Sequence, residues 1–242
     1  MLSNEHAWRE RRSIVRVSEA LNMGDIRTDT AFAVRMAGVA DAEGFPPERA
    51  WETAPPICFN ADWEGKNTDR QRETQVRVLW NPEFLFLRFD AFYRSITVFA
   101  DSEPSGRRNQ LWDRDVCEVF LQPPGSAARA YKEIEVAPNG FWIDLEISPG
   151  EKRDLNSGLR RLVSIDERNK QWHAVLALPM ESLVERVQMP AVWRVNFFRV
   201  EGSSEPRFYS AWRPTNTPEP NFHVPEVFGG LVFTEAASKI RG

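Results

Sequence analysis

The sequence contains few of the residues from which disulfide frameworks and metal sites are built. Among its 242 residues are two cysteines, Cys58 and Cys117, so at most one disulfide bridge is possible, and no metal-knuckle spacing surrounds them. The three histidines, His6, His173 and His223, are far apart and lack ligand spacing with a cysteine or another histidine. These absences argue against a zinc site, and we expect both cysteines to be buried free thiols.

Long apolar runs are also missing. No stretch comes near about 18 consecutive apolar residues, the length of a transmembrane helix candidate. Residues 1–22 are too charged to contain the apolar core of a secretory signal. The sequence as given therefore predicts a cytoplasmic protein with no membrane partner, or a secreted protein if an N-terminal signal has been removed.

A surplus of basic charge is absent as well. Lysine and arginine total 31 and aspartate and glutamate total 35, giving a formal net charge of -4, and the basic residues form no stripe. Nucleic acid is therefore not expected as a partner. The composition, 42% hydrophobic and 12% aromatic, is that of a globular chain with a sizeable core. Nine tryptophans are an unusually high count, and tryptophan serves both in cores and on flat ligand-binding surfaces.

The pattern along the chain divides it into two parts. Residues 3–22 have the polarity and spacing of a short helix, whereas short apolar or alternating runs broken by Gly, Pro, Asn and Asp begin near Ala31. We therefore expect a short N-terminal helical extension over residues 1–30 and one β domain over residues 31–242. An all-β domain commonly reaches about 200 to 250 residues.

Regular turn signals indicate many strands within the expected β domain. The clearest hairpin joins residues 75–80 to residues 84–89 through a turn that contains Asn81 and Pro82. Further strand-like runs are 95–100, 116–121, 131–136, 141–147, 159–165, 172–178 and 192–200. Only residues 180–187, after Pro179, have a helical pattern. The sequence thus predicts two packed antiparallel sheets and excludes a parallel sheet with crossover helices.

One candidate binding segment leads from a loop into a strand. Trp112 lies at the loop, and Asp115 and Glu118 follow as the chain turns apolar. A tryptophan in this place can stack on the apolar face of a sugar ring, while a carboxylate on the next strand accepts hydroxyl hydrogen bonds. The competing interpretation is that Trp112 closes the end of the β domain and that Asp115 and Glu118 are ordinary edge charges.

A second candidate segment alternates along a strand, so that Ile134 and Val136 face inward while Tyr131, Glu133 and Glu135 face outward together. If this strand lies beside the strand of Glu118, the result is an acidic floor that suits sugar hydroxyls or a cation such as calcium. The competing interpretation is a solvated polar face.

A third candidate segment contains Trp212, where a strand meets an irregular loop, and continues to His223 in the closing loop. Trp212 is placed to form a second aromatic wall opposite Trp112, although a tryptophan in this context is more often part of a core. His223 is the one histidine that we expect near Trp212.

Taken in order, eight landmarks resemble carbohydrate-binding module family 9 between about Ala31 and Phe233. They are Trp51, the hairpin 79–89, the segment 112–120, the segment 131–140 with Asp144, the run 172–179, the segment 193–201, the run 209–214 and the closing stretch 221–229. The resemblance implies a sandwich of the jelly-roll type, in which a sugar is held between two tryptophans.

The resemblance also implies which residues hold the sugar. Trp112 and Trp212 stand at the positions of the two tryptophans, and Glu118 stands at the position of the family's carboxylate, six residues after the first. The family pattern then has an Arg and an Asn on the next strand, where this sequence has Glu133 and Glu135. The implied ligand is the end of a mono- or oligosaccharide.

Other expectations follow from the resemblance. It implies a non-catalytic module associated with glycoside hydrolases in carbohydrate catabolism, as a monomer or weak dimer, with structural calcium as the only implied cofactor and no calcium ligands that can be named. Two alternatives stay open. One is a protein-interaction domain that has lost sugar binding, and the other is a glycoside hydrolase that uses Glu118 with Glu133 or Glu135 across the scissile bond.

Overall fold

The computed structural model of the protein describes residues 29–101 and 106–235. The helix expected over residues 3–22 lies outside this part of the chain, as does nearly all of the extension expected over residues 1–30. The described residues form strands and a few short helical turns, which confirms the all-β class. No helix among them is long and apolar enough to cross a membrane.

The secondary structure is dominated by short strands. They are β1 (Thr30–Arg35), β2 (Ile57–Phe59), β3 (Thr74–Trp80), β4 (Phe84–Phe92), β5 (Val116–Gln122), β6 (Tyr131–Val136), β7 (Trp142–Ser148), β8 (Glu151–Asp154), β9 (Arg160–Asp166), β10 (Gln171–Pro179), β11 (Val192–Glu201), β12 (Phe208–Ala211) and β13 (Gly229–Thr234). One α-helical turn, α1 (Glu48–Trp51), and the 3₁₀ turns Arg70–Arg72, Leu111–Asp113, Met180–Ser182 and Pro225–Val227 complete the described elements.

The strands are hydrogen-bonded into one large mixed sheet. Its order is β8-β7-β6-β5-β11-β13-β1-β3-β4-β10-β9, with β12 paired to β11 and β2 paired to β3. β1 and β3 run parallel, whereas the hairpins β3–β4, β5–β6 and β6–β7 are antiparallel. The sequence predicted two packed sheets, whereas the described strands form one sheet of thirteen strands, eleven of which follow one another in a continuous ladder.

The sheet is curled, as contacts between strands that are not neighbours in the ladder show. Phe89 of β4 packs against Phe197 of β11 with ring centroids 6.4 Å apart, and the Arg199 guanidinium donates to the Phe92 carbonyl oxygen over 2.7 Å. The apolar side chains on this concave face, including Val119 and Ile134, form the interior core. Burial of each large apolar side chain contributes about 1.5–3 kcal/mol.

The predicted hairpin is confirmed, and its turn explains why. Strands β3 and β4 pair antiparallel from Thr74 opposite Ala91 to Trp80 opposite Leu85. In the turn, the Asn81 side-chain oxygen accepts hydrogen bonds from the backbone amides of Glu83 (2.9 Å) and Phe84 (2.7 Å). An asparagine that bonds the backbone in this way fixes a turn from local sequence alone.

Two other local predictions are wrong. Residues 95–100 are not a strand, because their backbone bonds Asp115 instead of a neighbouring ladder: the Thr97 amide donates to the Asp115 carboxylate (3.1 Å) and the Asp115 amide donates to the Thr97 carbonyl (2.9 Å). The helix expected over residues 180–187 is only the 3₁₀ turn Met180–Ser182. Burial of Met180 and Leu183 in the interior core anchors this segment without a helix.

The cysteines are free, and only one of them is buried. Cys117 lies on β5 and faces the interior core. Cys58 is exposed, contrary to expectation, because β2 turns its two flanking residues, Ile57 and Phe59, inward and alternation directs Cys58 outward.

Candidate functional site

The candidate site lies on the face of β5 and β6 that points away from the interior core. On β6, Ile134 and Val136 face the interior core, while Tyr131, Glu133 and Glu135 share the opposite face, as the sequence predicted. That face is covered by a second apolar cluster, which includes Phe120, Tyr131, Phe198, Phe222 and Phe228 and is called here the pocket-side core. The interpretation of a solvated polar face is therefore wrong.

Three glutamates are brought together in this covered face. β5 and β6 pair antiparallel, with Glu118 directly opposite Glu135 and Phe120 directly opposite Glu133. The exposed fraction is 3% for Glu118, 2% for Glu133 and 0% for Glu135. The expected acidic floor thus exists, but it is buried, and neither Glu118 nor the neighbouring Asp115 is an ordinary edge charge.

These carboxyl groups line a cavity of about 210 Å³, called here the glutamate pocket. Its other lining residues come from the turn before β5, from the β11–β12 region and from the closing loop. They are Trp112, Phe120, Val200, Arg207, Tyr209, Pro220, Asn221, Phe222 and His223. A wider depression of about 640 Å³ lies near Phe141 and Arg161, and no carboxyl group lines it.

Trp112 forms one wall of the glutamate pocket and is held at its backbone. It lies in the 3₁₀ turn before β5, partly buried, and its carbonyl oxygen accepts a hydrogen bond of 2.7 Å from the Arg207 guanidinium. The Lys152 ammonium lies 3.9 Å from the centroid of the Trp112 ring and 3.9 Å from Glu133 Oε1. A lysine therefore bridges the aromatic wall and the acidic floor.

His223 closes the other side of the pocket. Its ring stacks on Phe120 with centroids 5.5 Å apart, and its Nδ1 lies 2.5 Å from the Tyr131 hydroxyl and 3.8 Å from Glu133 Oε2. Although 53% of the His223 side chain is exposed, desolvation of the ring against the pocket lowers the pKa of His223, and the charge of Glu133 opposes this effect. The neutral imidazole is therefore favoured, so His223 offers hydrogen-bonding nitrogens to the pocket.

The glutamates influence one another's protonation. Burial raises the pKa of Glu118 well above its ordinary value, and the negative charge of Glu133 raises it further against the smaller effects of Lys152 and Arg207. Burial likewise raises the pKa of Glu135, and the charges of Glu118 and Glu133 add to the effect. Carboxyl groups in this environment retain protons at pH values where an exposed glutamate is ionised.

Several of the carboxyl oxygens have no donor among the basic, amide and hydroxyl groups of the described protein, although Glu133 and Glu135 lie close enough to share a proton. These oxygens are Glu118 Oε1, Glu133 Oε2 and both side-chain oxygens of Glu135. Buried polar atoms ordinarily find a hydrogen-bond partner, and an unpaired one costs about 1–3 kcal/mol. The glutamate pocket therefore has unused hydrogen-bonding capacity that is directed at a ligand or solvent.

Sequence comparison finds distant relatives. No family model matches the sequence. A protein named "Extracellular protein" from the fungus Arthroderma benhamiae is 24% identical over 180 residues, covering 66% of this chain and 78% of the relative. The UPF0462 protein C4orf33 homolog of Rattus norvegicus is 27% identical over 169 residues, covering 65% of this chain and 79% of the relative.

Solved structures match over most of the chain. A proposed carbohydrate-binding protein from Bacteroides uniformis superposes with a TM-score of 0.67 at 15% identity, covering 85% of this chain and 99% of the other. A family 9 carbohydrate-binding module from Caldicellulosiruptor kristjanssonii, in complex with cellotriose, gives a TM-score of 0.61 at 14% identity, covering 88% of this chain and 97% of the other. The chain has the fold of carbohydrate-binding module family 9. The same kind of module in complex with glucose gives a TM-score of 0.59 at 14% identity, covering 88% of this chain and all of the other.

Within this family 9 fold, Trp212 does not take the place expected for it. It follows β12, its amide donates to the Phe197 carbonyl (2.9 Å), and its ring packs on Phe197 at 5.7 Å in the interior core. Tyr209 of the same segment faces the pocket-side core and lines the glutamate pocket. Trp112 and Trp212 therefore lie on opposite faces of the sheet, and the expected two-tryptophan clamp is not assembled here.

Asp115, the remaining candidate of the Trp112 segment, has a structural role. Its two carboxylate oxygens accept hydrogen bonds from the amides of Gly202 (2.7 Å) and Thr97 (3.1 Å). Burial raises its pKa to about 6, even though these hydrogen bonds lower it. Asp115 thus joins the loop before β5 to the end of β11 and does not line the glutamate pocket.

The described residues contain no cluster of side chains suited to holding a metal ion. Over residues 29–101 and 106–235, no group of three or more His, Cys, Asp or Glu side chains is arranged to hold a metal ion.

Sequence reasoning missed part of the pocket. Arg207, Tyr209 and Phe222 were not among the predicted site residues, and His223 was expected beside Trp212. All four lie between 74 and 105 residues after Glu118 and Glu133 in the chain. The one local signal for Tyr209 was strand alternation, which places it on the opposite face from Ser210.

Proposed function

We propose that the protein binds carbohydrate, and that the glutamate pocket takes the terminal ring of a mono- or oligosaccharide. The observation that carries this proposal is the combination of buried, unpaired carboxyl oxygens with the aromatic wall of Trp112 in one cavity. The family 9 modules with a similar fold are in complex with cellotriose and with glucose, which supports the same class of ligand for this chain.

The chemistry of the pocket matches the two faces of a sugar ring. Trp112, Tyr209 and Phe222 offer apolar surface, which suits the C–H face of a pyranose. Glu118, Glu133 and Glu135 offer polar atoms for its hydroxyl groups. A site that combines apolar walls with a few convergent polar groups is typical of small-molecule binding.

The glutamates can also act as hydrogen-bond donors in place of the Arg and Asn of the family pattern. A protonated carboxyl group donates one hydrogen bond and accepts others, whereas an ionised one only accepts. Because burial and mutual repulsion keep protons on Glu118 and Glu135, these side chains can donate to hydroxyl oxygens. Retained protons thus replace the donors that the family pattern supplies with basic and amide side chains.

The volume of the pocket restricts the ligand to one ring. Sites for drug-sized molecules enclose about 300–1,000 Å³, and the glutamate pocket encloses about 210 Å³. We therefore propose binding of a chain end, with further sugar units outside the cavity.

Several broader features belong to the same proposal. The curled sheet is proposed to be the jelly-roll sandwich of the family, with residues 1–30 as an extension and residues 31–242 as the binding domain. The module is proposed to be non-catalytic, monomeric or weakly dimeric, and to act in carbohydrate catabolism. The name of the fungal relative, "Extracellular protein", supports a secreted setting.

The test is calorimetric titration of the full chain with glucose, xylose, cellobiose and xylobiose. We expect binding of at least one sugar, and a loss of tenfold or more in affinity in Trp112→Ala, equivalent to about 1.4 kcal/mol. Trp212→Phe is the matched control, because Trp212 lies in the interior core, and it should retain the wild-type affinity. Absence of heat with every sugar, in a folded protein, would overturn the proposal and favour the interaction-domain alternative.

A further inference from the structure

A primary ammonium group of the chain itself, that of Lys152, lies next to two residues that line the glutamate pocket. Lys152 Nζ lies 3.9 Å from the Trp112 ring centroid and 3.9 Å from Glu133 Oε1. Its side chain is 41% exposed, and it belongs to β8, an edge strand whose four residues are all exposed. A long side chain on such a strand can turn into solvent and leave the pocket mouth.

The supply of positive charge and donors in the pocket falls short of what three carboxyl groups can accept. Lys152 approaches Glu133 without reaching hydrogen-bonding distance. The Arg207 guanidinium donates to the Trp112 carbonyl and to Glu205, and His223 is bonded to the Tyr131 hydroxyl. Both side-chain oxygens of Glu135 and one each of Glu118 and Glu133 have no donor from a basic, amide or hydroxyl group of the described protein, and the contact between Glu133 and Glu135 supplies only the proton that these two carboxyl groups share.

We infer that the pocket selects an amino sugar, whose ammonium group displaces that of Lys152 and bonds the buried glutamates. This inference rests on the proposed carbohydrate-binding function and specifies its substrate class. An ammonium carries three donors and no acceptor, so it matches the unpaired carboxyl oxygens better than a hydroxyl does. It also gains attraction from the face of Trp112, of the kind that Lys152 now makes, and charge-assisted hydrogen bonds to carboxylates are about twice as strong as neutral ones.

An ammonium ligand and protons compete for the same carboxyl groups. The titratable and charged groups that face one another here are Glu118, Glu133, Glu135, Lys152, Arg207, His223 and Tyr131. Because Glu118 and Glu135 retain protons in the free protein, binding of a cation should expel protons, whereas binding of a neutral sugar should not. Proton release therefore separates ammonium recognition from ordinary sugar binding.

The experiment is calorimetric titration of the full chain with glucosamine, N-acetylglucosamine and glucose, at pH 5 and pH 7, in buffers of different ionisation enthalpy. We expect glucosamine to bind about tenfold or more tightly than either neutral sugar at pH 7, with net proton release, and the ratio to shrink at pH 5. Equal affinity for all three sugars would overturn the amino-sugar inference and leave carbohydrate binding intact. No binding of any sugar would overturn both.

Two variants test the assigned contacts against matched controls. Glu133→Gln should lower the affinity ratio of glucosamine to glucose, and Lys152→Met should raise the affinity for glucosamine several-fold by removing the competing ammonium. Glu146→Gln and Arg153→Met are the controls, because these two side chains pair with each other on the solvent side at 2.7 Å. Weaker glucosamine binding in Lys152→Met, with an unchanged thermal unfolding midpoint, would show that Lys152 holds the ligand and would overturn the displacement model.

Discussion

The buried glutamates show that alternation in a sequence determines the face of the strand on which a side chain lies, but not whether that face is buried. The two-residue period of β6 correctly places Glu133 and Glu135 on the same face, since the pleat of a strand fixes direction. It does not determine what covers that face. Phe222 and His223 provide the cover, and they arrive from about 90 residues further along the chain. The sequence therefore predicts the grouping of these carboxyl groups but not their burial.

The contrast between Trp112 and Trp212 has the same origin. Each residue stands where an irregular segment meets a strand, and both are partly buried. The face to which each belongs depends on the phase of the adjoining strand. A shift of one residue moves a side chain to the other side of the sheet, and composition offers no signal of this phase.

The protonation of Glu135 in the pocket predicts that the free energy of unfolding depends on pH. A glutamate in the unfolded chain ionises near about pH 4.3, whereas folded Glu135 keeps its proton to higher pH because of burial and the charges of Glu118 and Glu133. Between the pKa of Glu135 in the unfolded chain and its higher pKa in the folded protein, the folded state binds more protons. The stability that the protonated Glu135 contributes is therefore lost as the pH rises through this range. Glu135→Gln should therefore stabilise the protein at pH 8, by about 1 kcal/mol or more, and have less effect at pH 5.

Urea unfolding at both pH values measures this effect, and Glu146→Gln serves as a control of opposite sign. Although burial raises the pKa of Glu146, hydrogen bonding to Arg153 and the charge of Lys132 lower it overall. Its ionised form is thus favoured in the folded state, and its replacement should not stabilise the protein at pH 8. A Glu135→Gln variant with equal or smaller stability than the wild type at pH 8 would contradict the assigned cause.

Among the elements, the β3–β4 hairpin was predicted from a local signal, whereas β8, which has no such signal, was not. The β3–β4 hairpin has both apolar alternation and a turn residue that bonds its own backbone. β8 consists of Glu, Lys, Arg and Asp and has no buried residue, so nothing in its pattern marks it as a strand. It pairs with β7 because it follows a tight turn. Short or fully exposed strands depend on a neighbour that their own residues do not reveal.

The hairpin turn leads to a prediction about this element. Asn81→Ala removes the acceptor of two backbone amides, those of Glu83 and Phe84, and should lower the free energy of unfolding by about 1 kcal/mol. Asn81→Asp keeps a side-chain oxygen in the same place and should restore most of the loss. Denaturant unfolding of the three proteins measures the effect, and equal destabilisation by Ala and Asp would show that the acceptor is unimportant.

In the protein as a whole, continuity of the sheet predicts cooperative unfolding. The ladder runs from β8 to β9 through the described part of the chain, and β4 and β11 share the interior core. The domain is expected to lose secondary structure and tryptophan packing together. Far-ultraviolet circular dichroism and tryptophan fluorescence should give one coincident transition in urea, and two separated midpoints would indicate that the halves of the sheet unfold independently.

The assembly of the strands into one curled, continuous sheet was not predictable from local patterns. The sequence indicated many antiparallel strands, but β1 and β3 run parallel, and the position of β13 between β11 and β1 joins an early segment of the chain to a late one. Turn signals describe neighbours in sequence. They therefore predicted hairpins and left open how the hairpins are assembled.

The position of β13 also bears on how the protein emerges from the ribosome. The strand that links the two halves of the sheet, Gly229–Thr234, follows every other described strand in the sequence and is synthesised after them. Until it appears, the edges of β1 and β11 that it will cover remain unpaired, and such edges favour association between chains. The sheet therefore cannot close until Gly229–Thr234 has been synthesised, and a chaperone that shields the edges of β1 and β11 would protect incomplete chains from association.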